Sequence, residues 1–187
     1  MRNLLLGISL LGVLALAPVT IPKAVERPLR SIVALQARNA IGEYSNCTGF
    51  VINAVIGEVL TAAHCVEKIL ILTVDGRPSK VLRSDEQFAV VTIEPMTKPA
   101  LTLSPDKPRI GDRVAVTGFA WGDLLIHLGR GIAGYSKDDL VFDGPLIQGM
   151  SGGPVTNASG DVVGLVQASN EYISIACSAE EIRKFLK

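Results

Sequence analysis

Four prolines, Pro95, Pro99, Pro105 and Pro108, crowd one stretch near the middle of the chain. Proline fixes φ and has no N–H to give to a ladder, so no sheet runs through such a stretch. It reads as a linker, and the fold must be built from what lies on either side. Both sides carry short Val-, Ile- and Leu-rich segments punctuated by turn residues, the pattern of strands. Before the linker these are residues 31–36, 48–52, 59–61, 69–74, 81–83 and 88–93, with a hairpin around 53–58 and a turn at Asp75-Gly76. After it come residues 113–118, 124–128, 140–142, 162–167 and 172–176. The tail, 178–187, reads as a helix. Ser178 and Glu181 make a capping-box pattern, and Ile182, Phe185 and Leu186 share one face. The expected class is all-β, in two groups of roughly six strands, with a short C-terminal helix.

A chain of 187 residues suits one compact unit or two small lobes. Its 18 basic and 18 acidic residues balance to zero, so no charge excess points to nucleic acid as a partner. At the N-terminus Arg2 precedes an uncharged run from Leu4 to Ala17, and Ala15-Leu16-Ala17 has the form of a signal-peptidase site. Pro18 fits poorly after such a cut, so cleavage near Ala24, or an uncleaved anchor reaching Val19 and Ile21, stays open. The run is short for a membrane span. A secreted, periplasmic or otherwise extracytoplasmic protein is expected, touching the membrane only if the segment stays uncleaved. The divisions are 1–24 as signal peptide or anchor, 25–97 as the first strand group, and 98–187 as the second with its helix.

Two strings carry chemistry. Thr61-Ala62-Ala63-His64-Cys65 puts a histidine on a turn of small residues, and Gln148-Gly149-Met150-Ser151-Gly152-Gly153-Pro154 puts a serine among glycines. A serine hydroxyl is a poor nucleophile until a base takes its proton, and histidine suits that task near neutral pH. A Gly/Ser turn alone is weak evidence. The pair, in this order, with Val59-Leu60 before the first and Val155 and 160–166 behind the second, resembles the trypsin-like, chymotrypsin-fold serine peptidases. The likeness runs from about Ser31 onward.

That resemblance implies two packed six-stranded antiparallel β-barrels, His64 in the first and Ser151 in the second. It implies a serine endopeptidase acting on peptides or proteins through an acyl-enzyme, without cofactor or metal. His64 would be the base, and the Gly149 and Ser151 N–H groups the oxyanion hole. Cys47 and Cys65 would form a disulfide beside the histidine, closing a short loop worth roughly 3 kcal/mol, which leaves Cys177 as a small buried residue. His127, in an alternating apolar run, reads as a strand residue. Three cysteines and two histidines at these spacings make no zinc signature.

The sequence departs from the family at the acid. The family's aspartate directly precedes a strand that is Phe88-Ala89-Val90-Val91 in this chain, and the matching residue is Gln87. Asp85 lies two residues upstream, on the same side of an extended chain, and is the expected acid. Gln87 orienting the imidazole, or a catalytically weakened or inactive pseudoprotease that acts as a binding module, are the alternatives. Met150 replaces the aspartate that pairs with a newly cut N-terminus in digestive members, and no Ile-Val-Gly-Gly start is present. The likeness is therefore to the bacterial, Deg/HtrA-like branch, expected without a following PDZ domain. Carried over, the primary pocket falls on Pro145 and Leu146 through Gln148, on Gln167, Ala168 and Ser169, and on Ile173 and Ser174. No acid lies at its floor, so small or medium apolar residues before the cut are expected.

Overall fold

The computed structural model describes residues 23–170 and 172–187. The proposed signal segment lies outside them, and among the described residues no helix is long and apolar enough to cross a membrane. The chain starts with α1 (Lys23–Ser31), a helix the sequence pattern did not announce. It docks through Arg27, which reaches Asp161 at 3.4 Å, and ends where the Ser31 hydroxyl donates to the Arg27 carbonyl.

Seven strands follow: β1 (Ile32–Asn39), β2 (Tyr44–Asn53), β3 (Glu58–Ala62), β4 (Ile69–Val74), β5 (Arg77–Pro78), β6 (Lys80–Ser84) and β7 (Phe88–Thr92). They form one antiparallel sheet in the order β5-β4-β1-β2-β3-β7-β6. The expected first barrel is thus a curled but open sheet. Its edges explain why. β5 has two residues, one of them Pro78, which lacks a ladder donor, and β6 is exposed at all five positions.

The second half closes as expected. β8 (Arg113–Ala120), β9 (Leu124–Ser136), β10 (Asp139–Asp143), β11 (Pro154–Thr156), β12 (Val162–Ser169) and β13 (Ile173–Ser178) make a six-stranded barrel in the order β10-β13-β12-β11-β8-β9. The linker is pinned to both halves: Leu101 N–H donates to the Val51 carbonyl, and Ser104 N–H to the Val162 carbonyl.

The C-terminal helix α2 (Ala179–Leu186) carries the expected Ser178–Glu181 capping box. It lies against β12 and β13 and reaches across to the first sheet. Ile182 joins the core of that sheet, and the Phe185 ring lies 5.4 Å from the Phe88 ring. This covering explains why β7 is buried at four consecutive positions rather than alternating.

Candidate active site

The Ser151 loop hangs between β10 and β11 and is folded on itself: Met150 N–H donates to the Ile147 carbonyl and Gly153 N–H to the Met150 carbonyl. It is then tied to strands far away in sequence. Thr48 of β2 donates its N–H to the Ser151 carbonyl at 2.8 Å and its hydroxyl to the Gly149 carbonyl at 2.8 Å. That same hydroxyl accepts the Phe119 N–H at 2.8 Å, and Thr61 donates to the Thr48 carbonyl at 2.8 Å. Gly152 N–H donates to the Val166 carbonyl at 2.8 Å. Two glycines are required by this closeness. A Cβ on Gly149 (φ +97°) would stand 2.4 Å from the Phe119 carbonyl, and one on Gly152 (φ +81°) 2.2 Å from the Thr48 carbonyl. Met150 is fully buried in the barrel core, an apolar anchor for the loop.

Ser151 is half-buried at the tip of this loop. Among the described residues the N–H groups of Gly149 and Ser151 donate to no protein acceptor. Unpaired amides are uncommon in a buried loop, and two beside a serine are suited to charge that develops on a substrate oxygen.

His64 lies on the 3-10 turn Ala63–Val66 that follows β3. The turn is fixed from below. Ala63 N–H donates to the Gln87 carbonyl at 2.9 Å, continuing the β3–β7 register in which Ala62 faces Phe88. The Cys47–Cys65 disulfide is formed. Cys65 Sγ lies 3.8 Å from the Ser151 carbonyl oxygen, and a His64 ring nitrogen lies within 4.8 Å of both sulfurs. The disulfide thus borders both the His64 ring and the backbone of Ser151, and among the described residues no hydrogen bond joins the ring to the Ser151 hydroxyl. The partial desolvation of the ring lowers the His64 pKa below its ordinary value, and the Glu67 carboxylate opposes this more weakly.

Asp85 is turned to its own loop. Its Oδ1 accepts the Gln87 N–H at 2.8 Å and the Phe88 N–H at 2.7 Å. Among the described residues no hydrogen bond or ion pair joins Asp85, or any other carboxylate, to the His64 ring. Gln87 is the residue bonded beside the histidine turn, and Gln167 of β12 donates to its carbonyl at 2.8 Å.

A pocket of about 280 Å³ opens beside Ser151, lined by Leu146, Ile147, Gln148, Ser151, Val166, Ala168 and Ser169. The lining carries no charged side chain. Its polar end is a hydroxyl cluster: Ser169 Oγ accepts the Leu146 N–H at 2.8 Å, and buried Ser174 lies 3.0 Å from Ser169 Oγ while donating to the Gly144 carbonyl. Pro145 stands outside that lining, its carbonyl accepting from Arg130, and Gln167 turns away toward Gln87. Ile173 is partly exposed.

Two groups could offer metal ligands among the described residues. In one, Cys47 and Cys65 are consumed by their disulfide beside His64. The other is Asp139, Cys177 and Glu181, where burial, reinforced by the two acids, pushes the Cys177 thiol pKa up and works against the thiolate a metal needs. His127 is a strand residue as expected, with Nδ1 2.8 Å from the Thr117 hydroxyl.

Sequence reasoning did not find Thr48 as part of this site. A buried threonine in a strand carries no local mark of a partner a hundred residues away.

The family profile described as trypsin-like peptidase domain matches residues 47–165. No curated protein sequence matches the chain. Among solved structures, the Rv3671c protease of M. tuberculosis in its active form aligns with a TM-score of 0.79 at 21% identity, covering 88% of this chain and 82% of that one. A serine endoprotease from Yersinia pestis gives 0.78 at 23%, over 89% of this chain and 66% of that one. The HtrA-type protease AlgW with a tripeptide gives 0.78 at 22%, over 87% of this chain and 61% of that one. The chain thus spans less than two thirds of the last two.

Proposed function

The chain belongs to the trypsin-like peptidase domain family, a serine-type endopeptidase by kind, and we propose that it hydrolyses peptide bonds with Ser151 as nucleophile and His64 as base. His64 takes the Ser151 proton as the hydroxyl attacks the carbonyl carbon, and the Gly149 and Ser151 N–H groups receive the developing oxyanion. His64 then returns the proton to the leaving amine, and water hydrolyses the acyl-enzyme by the same path. The single observation that carries this reading is the pair of Gly149 and Ser151 amides, without a protein acceptor among the described residues, on a loop locked to both halves of the fold.

Gln87 takes the acid's place in this reading. Asp85 keeps its Oδ1 on the backbone of its own turn. A neutral amide in place of the aspartate favours the wrong imidazole tautomer and costs about 10⁴ in turnover in a comparable triad, so the enzyme is a weakened one. The pocket, uncharged along its lining, takes small or medium apolar side chains before the cut, since a lysine or arginine there would lack a partner. The uncharged N-terminal run read from the sequence and the Cys47–Cys65 disulfide support an exported compartment. Ser151→Ala should abolish cleavage of a peptide library while the melting temperature stays within a degree or so, because only a half-exposed hydroxyl is lost. Undiminished cleavage by that variant would overturn the assignment.

A further inference from the structure

One wall of the pocket beside Ser151 is a strand, and the other is a stretch of loop. The strand wall, Val166, Ala168 and Ser169 of β12, is fixed by its ladder to β13. The loop wall, Leu146, Ile147 and Gln148, belongs to no strand, and single bonds hold the chain that leads into it. Gly144 N–H donates to the Tyr172 carbonyl at 3.1 Å, the Ser174 hydroxyl donates to the Gly144 carbonyl at 2.8 Å, and Leu146 N–H donates to Ser169 Oγ at 2.8 Å. All three partners lie in or between β12 and β13. The fourth hold comes from the other neighbour of β10. Arg130 of β9 donates from Nη2 to the Pro145 carbonyl at 3.0 Å.

Arg130 is half-buried, yet among the described residues no carboxylate pairs with it, and its Nε is buried without a hydrogen-bond partner. An unpaired buried donor costs free energy, and native chains keep few of them. What the guanidinium does touch is the segment that leads into the loop wall. Nη1 donates to the carbonyl of neighbouring Gly129 at 3.1 Å and Nη2 to that of Pro145. The group lies against Gly144, where a Cβ would stand 3.5 Å from Nε and 3.6 Å from Cζ. A planar fork on two carbonyls is held in one geometry, and bonds from a charged donor are the strong ones. The pocket lining begins one residue beyond the gripped carbonyl, at Leu146. We propose that Arg130 is a specificity-determining positioning residue: by gripping Pro145 from β9 it fixes the loop wall against the strand wall, and so sets how large an apolar side chain the pocket accepts before the cut. The inference rests on the reading of Ser151 as nucleophile, which makes this pocket the primary one, but the hold itself can be tested without catalysis.

Arg130→Met keeps an apolar stem and removes the donors, while Arg130→Lys keeps the charge but not the fork. The quantity to read is kcat/KM for two peptides that differ only in leucine or phenylalanine before the cut. Wild type should favour leucine by about tenfold or more, the range in which a pocket separates apolar side chains, and that ratio should collapse in both variants. A ratio is indifferent to the fraction of enzyme that is folded, and a merely structural role would slow both peptides alike. A preference that survives both substitutions, or a wild type that does not discriminate, overturns the proposal. Hydrogen exchange on the unliganded protein, read by mass spectrometry, provides the second arm. Exchange over residues 144–148 should be faster in Arg130→Met than in wild type, with residues 166–169 unchanged. Equal exchange over 144–148, or faster exchange in both walls, overturns the hold. No hydrolysis of either peptide by wild type refutes the catalytic reading, while the exchange arm still decides the role of Arg130.

Discussion

The Ser151 loop and the His64 turn are an unequal pair. The loop is held by Thr48 at two points, by Val166 at a third and by its own carbonyls at two more, and its bonds reach both halves of the fold. The turn is anchored through its backbone and its disulfide, but the His64 ring itself has no hydrogen-bond partner among the described residues. The Ser151 loop and its amides are held in place by hydrogen bonds, and the His64 ring is not. In a triad the carboxylate supplies what is missing here, fixing the tautomer and orientation of the ring. The difference teaches where activity is to be gained and where it is to be lost.

The largest effect should come from giving the ring its carboxylate. Gln87→Asp should raise kcat by orders of magnitude, up to about 10⁴ if the new carboxylate reaches the ring. Stopped assays on a common peptide check this. No gain would mean that the ring is already oriented and that the inequality is only apparent. Thr48→Val attacks the other side. It removes the hydroxyl that joins the Gly149 carbonyl to the Phe119 N–H, leaving two buried groups unpaired at about 1–3 kcal/mol each. Denaturant melts should show that loss, and kcat should fall with little change in KM. A variant that melts and turns over like wild type would show that the loop is not held as described.

The smallest effect is electrostatic. A His64 that acts as the proposed base must be neutral, so activity should be lost as pH falls through its pKa. Desolvation places that midpoint below the ordinary 6.5. Glu67 works the other way, so Glu67→Gln should move the midpoint of the kcat/KM profile further down. An upward move would assign the ring a different environment.

Much of this architecture was legible in the sequence for physical reasons that act locally. Proline crowding marked the division, Ser178 and Glu181 marked the start of α2, and short β-branched runs marked most strands. The open first sheet was not legible. Whether a sheet closes depends on its edges meeting, and neither the two-residue β5 nor the exposed β6 announces this in its own residues. His64 and Ser151 stood out because each sits in a distinctive local string. The role of Asp85 did not, because an acid two residues from a strand can either cap its own turn or reach across a cleft, and alternation alone treats these alike. Thr48 was hidden for the same reason: its partner Gly149 lies 101 residues away.

In the proposed mechanism His64 activates Ser151 with no carboxylate bonded to its ring. Labelling with a fluorophosphonate, read by mass spectrometry, tests this without a substrate. Covalent modification is expected at Ser151 alone, absent in Ser151→Ala, strongly slowed in His64→Ala and faster in Gln87→Asp. Wild-type protein that stays unlabelled at Ser151, or labels as fast without His64 as with it, would contradict it.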